Sequence, residues 1–251
     1  MRWPRPIVFG NWKMHGLRGE AQTLAAALAD HPGRRTATLG VFPPFTVLAD
    51  VASRFDGSGI VVGGQDCHAE PKGAFTGSIS APMIKDAGAA AVLVGHSERR
   101  HGLGESDAAI RGKAAAGLAA GLLVVLCVGE TEDDRVAAKT IEVLDRQLTA
   151  GWPEGATGEN LIVAYEPVWA IGTGEVATPD DAQEVCAAIR VRLGELYGAE
   201  VADSVRILYG GSVKSSNSAD IVAKPDVDGG LVGGASLEAE EFAAIVRGAA
   251  G

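Results

Sequence analysis

The sequence has few cysteines and few positive charges for its length. Cys67, Cys127 and Cys186 are the only cysteines in 251 residues, without CxxC spacing and far below the density of a disulfide-rich secreted domain. Lys and Arg number 22 against 32 Asp and Glu, which gives a formal net charge of −10. This charge repels nucleic acid and anionic lipid surfaces, and no basic cluster offsets it. We therefore predict a reduced, cytoplasmic protein with no nucleic-acid partner.

Long hydrophobic runs and common catalytic motifs are also absent. The longest uncharged stretch covers residues 114–129 and is interrupted by Gly117 and Gly121, whereas a membrane-spanning helix needs about twenty apolar residues. A strand is predicted from Ile7, which leaves no room for a signal peptide, so export is not expected. Because the charge is negative and the uncharged stretch is too short to span a bilayer, no membrane partner is expected. GxSxG, HExxH and Cys/His ligand spacings are missing, which disfavours a covalent hydrolase and a metalloenzyme.

Eight short apolar segments recur along the chain, separated by segments with helical spacing. Most are apolar at every position, which is typical of parallel strands covered on both faces. The predicted strands are Ile7–Gly10, Thr38–Phe42, Ile60–Gly64, Ala91–Gly95, Leu122–Val128, Leu161–Tyr165, Arg206–Gly210 and Gly229–Gly233. The predicted helices include Leu17–Ala29, Ser106–Ala119, Glu132–Leu148 and Asp180–Tyr197. For the last helix, Thr178 suits the N-cap, Pro179 the first helical position and Asp181 the first turn.

Eight strand–helix units use the whole chain, and no linker or low-complexity tract divides it. With parallel strands and right-handed crossovers, such units close into a ring. We therefore predict an α/β fold, a (β/α)8 barrel that forms a single domain over residues 1–251. An open, doubly wound sheet is the alternative. Barrels of this kind place their functional residues just after the carboxyl ends of the strands.

Polar side chains follow three of the predicted strands. Asn11 and Lys13 come after the first strand, His96 directly after the fourth, and Glu166 directly after the sixth. Each type suits acid–base or electrostatic chemistry at the barrel mouth. From its position alone, Lys13 is either a solvated surface residue or a functional one. Glu98, close to His96, also suits a structural ion-pair network.

Glycine-rich loops follow the last three strands. Residues 167–177 join a proline to an apolar tip with two glycines, which suits a lid that excludes water, although Trp169 and Ile171 also suit ordinary core packing. The GxGxxA match at 172–177 lies seven residues beyond the strand, so we reject it as a dinucleotide fingerprint. The turns 210–212 and 233–234 allow backbone N–H groups to approach an anion, which predicts a phosphate site.

Together, the segments 11–13, 95–100, 165–174, 209–213 and 231–236 resemble the triosephosphate isomerase family, in order along all eight units. The resemblance implies a TIM barrel that interconverts dihydroxyacetone phosphate and D-glyceraldehyde 3-phosphate through an enediol(ate), with no cofactor and no metal. It implies Glu166 as the base and Lys13 and Asn11 as stabilisers of oxygen charge. His96 would be the electrophile, a neutral imidazole of lowered pKa, for which this family is a well-known example.

The resemblance also implies how the substrate is held. Gly172, Ser212, Gly233 and Gly234 match the family's phosphate-binding positions, and the lid over 167–177 would close through Gly172. Ser97 would hold Glu166 while the lid is open. Glu98 is left open between a proton relay near Lys13 and a structural anchor for it.

A homodimer is implied by the segment Gln65–Gly77, which contains Phe75-Thr76-Gly77 as the family's dimer loop does. This loop would insert beside Lys13 of the partner subunit; a merely long surface loop is the alternative. The sequence departs from the family pattern in two places. Asp66 replaces a common Asn, which affects the bracing of the loop, and Glu175-Val176-Ala177 replaces commoner versions with Lys or Asn, which affects lid kinetics.

Two further classes of function are weighed against an isomerase of glycolysis and gluconeogenesis. A phosphate-binding barrel with aldol or lyase chemistry needs a Schiff-base lysine or metal ligands at the strand ends, and only Lys13 is available there. A barrel that binds without turnover would be favoured by substitution of Glu166 or His96, and both are present. The isomerase is therefore the favoured interpretation.

Overall fold

The structure is a computed structural model that describes residues 6–30, 37–170 and 177–251, in which eight parallel strands close into a barrel in chain order. Strand β1 pairs with both β2 and β8, which completes the ring and confirms the (β/α)8 barrel over the open sheet. Every predicted strand is confirmed to within one residue at either end. The strands are β1 (Ile7–Asn11), β2 (Thr38–Phe42), β3 (Val61–Gly64), β4 (Ala91–Val94), β5 (Leu123–Val128), β6 (Leu161–Tyr165), β7 (Arg206–Tyr209) and β8 (Gly229–Val232).

Helices lie between the strands, and one more follows the last strand. They are α1 (Arg18–Asp30), α2 (Leu48–Phe55), α3 (Ala81–Asp86), α4 (Ser97–Gly102), α5 (Asp107–Ala119), α6 (Glu132–Val136), α7 (Thr140–Gly151), α8 (Pro179–Tyr197), α9 (Ala199–Ser204), α10 (Ser218–Val222) and α11 (Ala239–Ala250). Within the three described ranges, none of them has both the length and the apolar content needed to cross a bilayer.

Two apolar layers explain why the strands are hydrophobic at every position. Ile7 and Phe9 of β1 join a cluster that contains only strand residues, with Phe9 and Phe42 in an edge-to-face contact. Val8, between them, joins a larger cluster with helix residues such as Leu28. Because side chains alternate along a strand, one set fills the barrel and the other packs against the helices.

The predicted start of α8 is confirmed in detail. Thr178 caps the helix by accepting the backbone N–H of Asp181 at 3.1 Å, and the Asp181 carboxylate accepts the Thr178 N–H at 2.9 Å. Pro179 occupies the first helical position. The Thr178 hydroxyl, at 2.7 Å, and the Thr178 N–H both donate to the Asp181 carboxylate, and these two bonds lower the pKa of Asp181 because they favour its charged form.

The predicted helix Glu132–Leu148 is wrong, because the chain forms α6 and α7 with a break between them. Ala138 lies at the break with a φ of 55°, in the left-handed region that usually ends a helix at glycine. The Lys139 N–H returns to the Asp134 carbonyl at 2.8 Å and completes the turn. Since neither glycine nor proline marks this point, the sequence carried no local signal for it.

Candidate active site

A cavity of about 400 Å³ opens at the carboxyl ends of the strands. Seven of the eight predicted site residues line it, although their segments are far apart in the chain. The lining consists of Asn11, Lys13, His96, Glu166, Gly210, Gly211, Ser212, Val213, Lys214, Leu231, Gly233, Gly234 and Ala235. The eighth predicted residue, Gly172, lies outside the described residues, as do Ile171 and Glu175-Val176.

Glu166 is a buried carboxylate at the end of β6, only 2% exposed. One oxygen accepts the backbone N–H of Ser97 at 2.9 Å, and the other accepts the Ser97 hydroxyl at 3.2 Å and lies 2.9 Å from Nε2 of His96. Burial alone would raise the pKa of Glu166, but the attraction to His96 and the hydrogen bonds from His96 and Ser97 outweigh it and lower the pKa. The carboxyl group is therefore held in its ionised form.

His96 is the N-cap residue of α4, and its ring is oriented by the helix it begins. Nδ1 accepts the backbone N–H of Glu98 at 3.3 Å, so in the neutral ring the proton lies on Nε2, the nitrogen that faces Glu166. Burial favours the uncharged ring, but contact with the Glu166 carboxylate outweighs burial and raises the pKa of His96. The implied lowering of this pKa is therefore wrong for the arrangement in which the two side chains touch.

Lys13 and Asn11 come from the end of β1. The Asn11 side-chain oxygen accepts the Lys13 N–H at 2.9 Å, and Lys13 Nζ lies 2.7 Å from a carboxylate oxygen of Glu98. Lys13 has a φ of 52°, a left-handed conformation that costs a non-glycine residue about 1–2 kcal/mol. Gln65 supports it by donating its amide to the Lys13 carbonyl at 2.8 Å.

The turns after β7 and β8 contribute Ser212, Gly233 and Gly234 to the cavity lining. The Ser212 hydroxyl donates to the Ala170 carbonyl at 3.0 Å, which ties the turn after β7 to the start of the predicted lid. Gly233 is followed by a short 3₁₀ turn, Gly234–Leu237, and α11 begins at Ala239. A methyl group added at Gly233 would lie 3.6 Å from Cε of Lys13.

Comparison with known proteins agrees with this geometry. The family model described as triosephosphate isomerase matches residues 6–249. The chain belongs to the triosephosphate isomerase family. A triosephosphate isomerase of Xanthobacter autotrophicus is 51% identical over 245 residues, covering 97% of this chain and 96% of that protein. One from Moorella thermoacetica is 52% identical, covering 97% of this chain and 98% of its own.

A solved structure supports the assignment. The crystal structure of triosephosphate isomerase from Bartonella henselae has a TM-score of 0.90 and 43% identity, and the match covers 98% of this chain and 99% of that one. The resemblance read from the sequence is thus confirmed. Membership of the triosephosphate isomerase family makes the chain an intramolecular isomerase.

Sequence reasoning missed Glu130, which lies two residues after β5. It is fully buried, and one carboxylate oxygen accepts the Tyr165 hydroxyl at 3.1 Å and Nε1 of Trp169 at 2.9 Å. Arg135 stacks over the Trp169 ring at 4.2 Å. Burial raises the pKa of Glu130. The sequence did contain one signal for this residue, because Glu130 is a carboxylate that closely follows an entirely apolar strand.

Lys214 was also missed. It follows β7 and lines the cavity together with Lys13, so the prediction that only Lys13 is available at the strand ends is wrong.

The described part of the chain contains no group of three or more His, Cys, Asp or Glu side chains that could hold a metal ion.

Proposed function

We propose that this family member interconverts dihydroxyacetone phosphate and D-glyceraldehyde 3-phosphate by moving a proton between adjacent carbons. The observation that carries the proposal is the pairing of an ionised Glu166 carboxylate with Nε2–H of His96, 2.9 Å apart, in the cavity that Lys13 and the glycine turns share. An enediol mechanism requires a base that accepts the proton from carbon and, close to it, a hydrogen-bond donor that stabilises the charge on the carbonyl oxygen.

In the first step, Glu166 removes a proton from C1 of the ketone. The electron pair of that C–H bond forms the C1–C2 double bond, and the carbonyl oxygen on C2 takes up the charge. His96 Nε2–H donates to this oxygen, and Lys13 and Asn11 stabilise it electrostatically. The lowered pKa of Glu166 supports this role, because the same contacts keep the carboxyl group deprotonated and able to accept a proton.

In the second step, Glu166 returns its proton to C2. The C1 hydroxyl loses its proton, C1 becomes the aldehyde carbon, and the oxygen on C2 ends as a hydroxyl after proton transfer through His96. One C–H and one O–H bond are lost and one of each is formed, so no oxidant or further reactant is needed.

Substrate binding changes the environment of His96 in the direction this chemistry needs. The contact with Glu166 is what raises the His96 pKa, and a substrate between the two side chains would interrupt it. Of the remaining influences, burial and the charge of Lys13 lower the pKa, whereas Glu98 raises it. A neutral imidazole, a better match for a developing alkoxide than a strongly acidic donor, is favoured in the complex.

The substrate phosphate is assigned to Ser212, Gly233 and Gly234. Backbone N–H groups at glycine turns and at the start of a helical turn attract anions, and Lys13 adds a positive charge on the same cavity. The lid over 167–177, with Gly172 contacting the phosphate, completes the site in this proposal. Closure would draw Glu166 away from Ser97 and towards the substrate.

Gly129 provides a test of how Glu166 is positioned. A methyl group at Gly129 would collide with the backbone carbonyl of Glu166. The Gln147 amide holds Gly129 in place: its oxygen accepts the Gly129 N–H at 2.7 Å, and its NH2 group donates to the Gly129 carbonyl at 3.0 Å. We expect Gly129→Ala to lower the free energy of unfolding by about 1–3 kcal/mol and to lower kcat, because Glu166 must move. Urea denaturation and steady-state kinetics measure both effects.

Gly151→Ala is the matched control for that variant. An added methyl group there would meet Leu126 at 3.7 Å and Ile110 at 3.9 Å, both ordinary contact distances. If Gly129→Ala has the same stability and kcat as Gly151→Ala, Gly129 does not position Glu166.

Dimerisation through the Gln65–Gly77 loop is the next part of the proposal. Met14 is 94% exposed and Phe75 43% exposed, large apolar groups on the loops after β1 and β3. Asp66, the departure from the family pattern, is held by Lys113 and Arg99 at 2.8 Å each, so the loop base is braced by ion pairs. An apolar tip on a braced loop suits insertion into a second copy.

We expect the protein to sediment as a dimer at assay concentration and Phe75→Glu to dissociate it, because a carboxylate would be buried in the contact. kcat should fall as the monomer appears, since the loop is proposed to lie beside Lys13 of the partner subunit. Val191→Glu, at a residue 63% exposed on α8, is the control. A fully active monomer in analytical ultracentrifugation would refute the dimer proposal.

Turnover of glyceraldehyde 3-phosphate by metal-stripped protein, coupled to a glycerol-phosphate dehydrogenase, tests the activity. We expect rapid turnover after EDTA treatment. Folded protein without turnover would instead favour the binding-protein alternative. The single-domain organisation and the cytoplasmic location remain predictions alongside this proposal.

A further inference from the structure

Arg100 holds the backbone on both sides of His96. Its N–H donates to the His96 carbonyl at 3.1 Å, within the first turn of α4. Its side chain turns back towards β4, where Nε donates to the Gly95 carbonyl at 2.8 Å. The two peptide groups that flank the Cα atom of His96 are therefore bound by one residue.

The same guanidinium joins neighbouring strands and a helix. Nη2 donates to the carbonyl of Cys127 in β5 at 3.0 Å, and Nη1 pairs with Asp107, at the start of α5, at 2.5 Å. Only 7% of the Arg100 side chain is exposed. The planar fork of an arginine reaches several acceptors at once, which the single ammonium of a lysine does not reproduce.

Gly95 explains why such a support is needed. It has a φ of 71°, a left-handed conformation that turns the chain from β4 into α4 within one residue. A glycine restrains its own peptide weakly, because no Cβ limits its backbone angles. The hydrogen bond from Arg100 supplies the restraint at the peptide before His96, and the contact between Nδ1 and the Glu98 N–H then fixes the ring.

We propose that Arg100 is a positioning residue for His96, which fixes the direction of Nε2 in the cavity through the Gly95 and Cys127 carbonyls. The inference rests on the proposed role of His96 as the electrophile. Arg100 is not among the residues that line the cavity, so it acts through His96 and not on the substrate. Its loss should therefore affect kcat more than KM.

Arg100→Lys keeps the charge and removes the fork. We expect kcat to fall about ten- to a hundredfold, because a misplacement of about 1 Å has that effect, with KM changed less than about twofold. The ¹⁵N resonances of the His96 ring should shift. Arg190→Lys is the matched control: Arg190 donates to the Ala202 and Val205 carbonyls and pairs with Asp228, which precedes β8 at the other end of the barrel. It should lower Tm and leave kcat and the His96 resonances unchanged.

A second variant covers the case in which Arg100→Lys does not fold. Arg100→Gln combined with Asp107→Asn removes both charges together and leaves no unpaired ion in the interior; the same loss of kcat is expected. A folded variant at position 100 with wild-type kcat and wild-type His96 resonances overturns the proposal and leaves Arg100 a structural role. Failure of the His96 role itself is seen separately, as unchanged turnover in His96→Gln.

Discussion

Glu166→Gln lowers kcat by about 10²- to 10⁴-fold in the proposed mechanism, the range that a positioned general base contributes. Glutamine keeps the length and shape of the side chain. Its single carbonyl oxygen can still accept the Ser97 N–H seen at 2.9 Å, and its NH2 group can donate to the Ser97 hydroxyl oxygen in place of the 3.2 Å bond, so the fold should survive. What it lacks is an oxygen that can accept a proton from carbon. Steady-state kinetics with circular dichroism as a folding check measures the effect.

Glu166→Asp separates charge from reach. The charge is retained, but the carboxylate is withdrawn by one methylene, and we expect a loss of about a hundredfold because proton transfer needs close contact. Glu195→Gln, at an exposed residue of α8 that pairs only at the surface with Arg192, is the control for a glutamine substitution. Near-wild-type turnover of both Glu166 variants would remove Glu166 from the role of base.

His96→Gln is expected to lower kcat by about 10²- to 10³-fold, the loss that follows removal of one donor to a developing oxyanion. The imidazole presents Nε2–H because Nδ1 accepts the Glu98 N–H at 3.3 Å, and the more flexible glutamine amide is not fixed in this way. Substrate affinity should change little, since the donor acts mainly on the transition state. A variant that loses affinity but retains kcat would make His96 a binding group and not the electrophile.

Without substrate, Glu166 and His96 influence each other's protonation. Glu166 and His96 are in direct contact, and each stabilises the charged form of the other, lowering the pKa of one and raising that of the other. Ser97, adjacent to His96, supplies two further hydrogen bonds to the carboxylate. The base is therefore already ionised before substrate binds. In the proposed mechanism the substrate separates Glu166 from His96, and burial then favours the neutral form of the histidine.

The fold was accessible from the sequence because its signals are local and repeated. Strands such as β5 (Leu123–Val128) are apolar throughout because both faces are covered, and Thr178 with Asp181 marks the start of α8 by a hydrogen-bonded cap. The break at Ala138 was not accessible, since a left-handed alanine has no sequence signature.

The site was accessible only in part, for a similar reason. Motifs identified Glu166 and His96, but the direction of the His96 pKa shift depends on a contact between residues seventy positions apart in the chain. Glu130 binds Trp169 in the loop after β6, and Gly129 packs against the backbone of Glu166 at the end of β6. Neither contact can be predicted from the residues that surround Glu130 and Gly129 in the sequence. Arg100 likewise gains its meaning from the two carbonyl groups it reaches.

Isomerisation of dihydroxyacetone phosphate in D₂O, with the aldehyde product trapped as it forms, tests the central claim of proton transfer most directly. If Glu166 carries the hydrogen as a proton through an enediol(ate), its carboxyl group can exchange with solvent, and part of the product will carry one deuterium at C2. NMR or mass spectrometry of the trapped product detects it. Product formed at the full rate with no deuterium at C2 would show that the transferred hydrogen never exchanges with solvent, as in a direct hydride shift between the carbons, and would contradict the account.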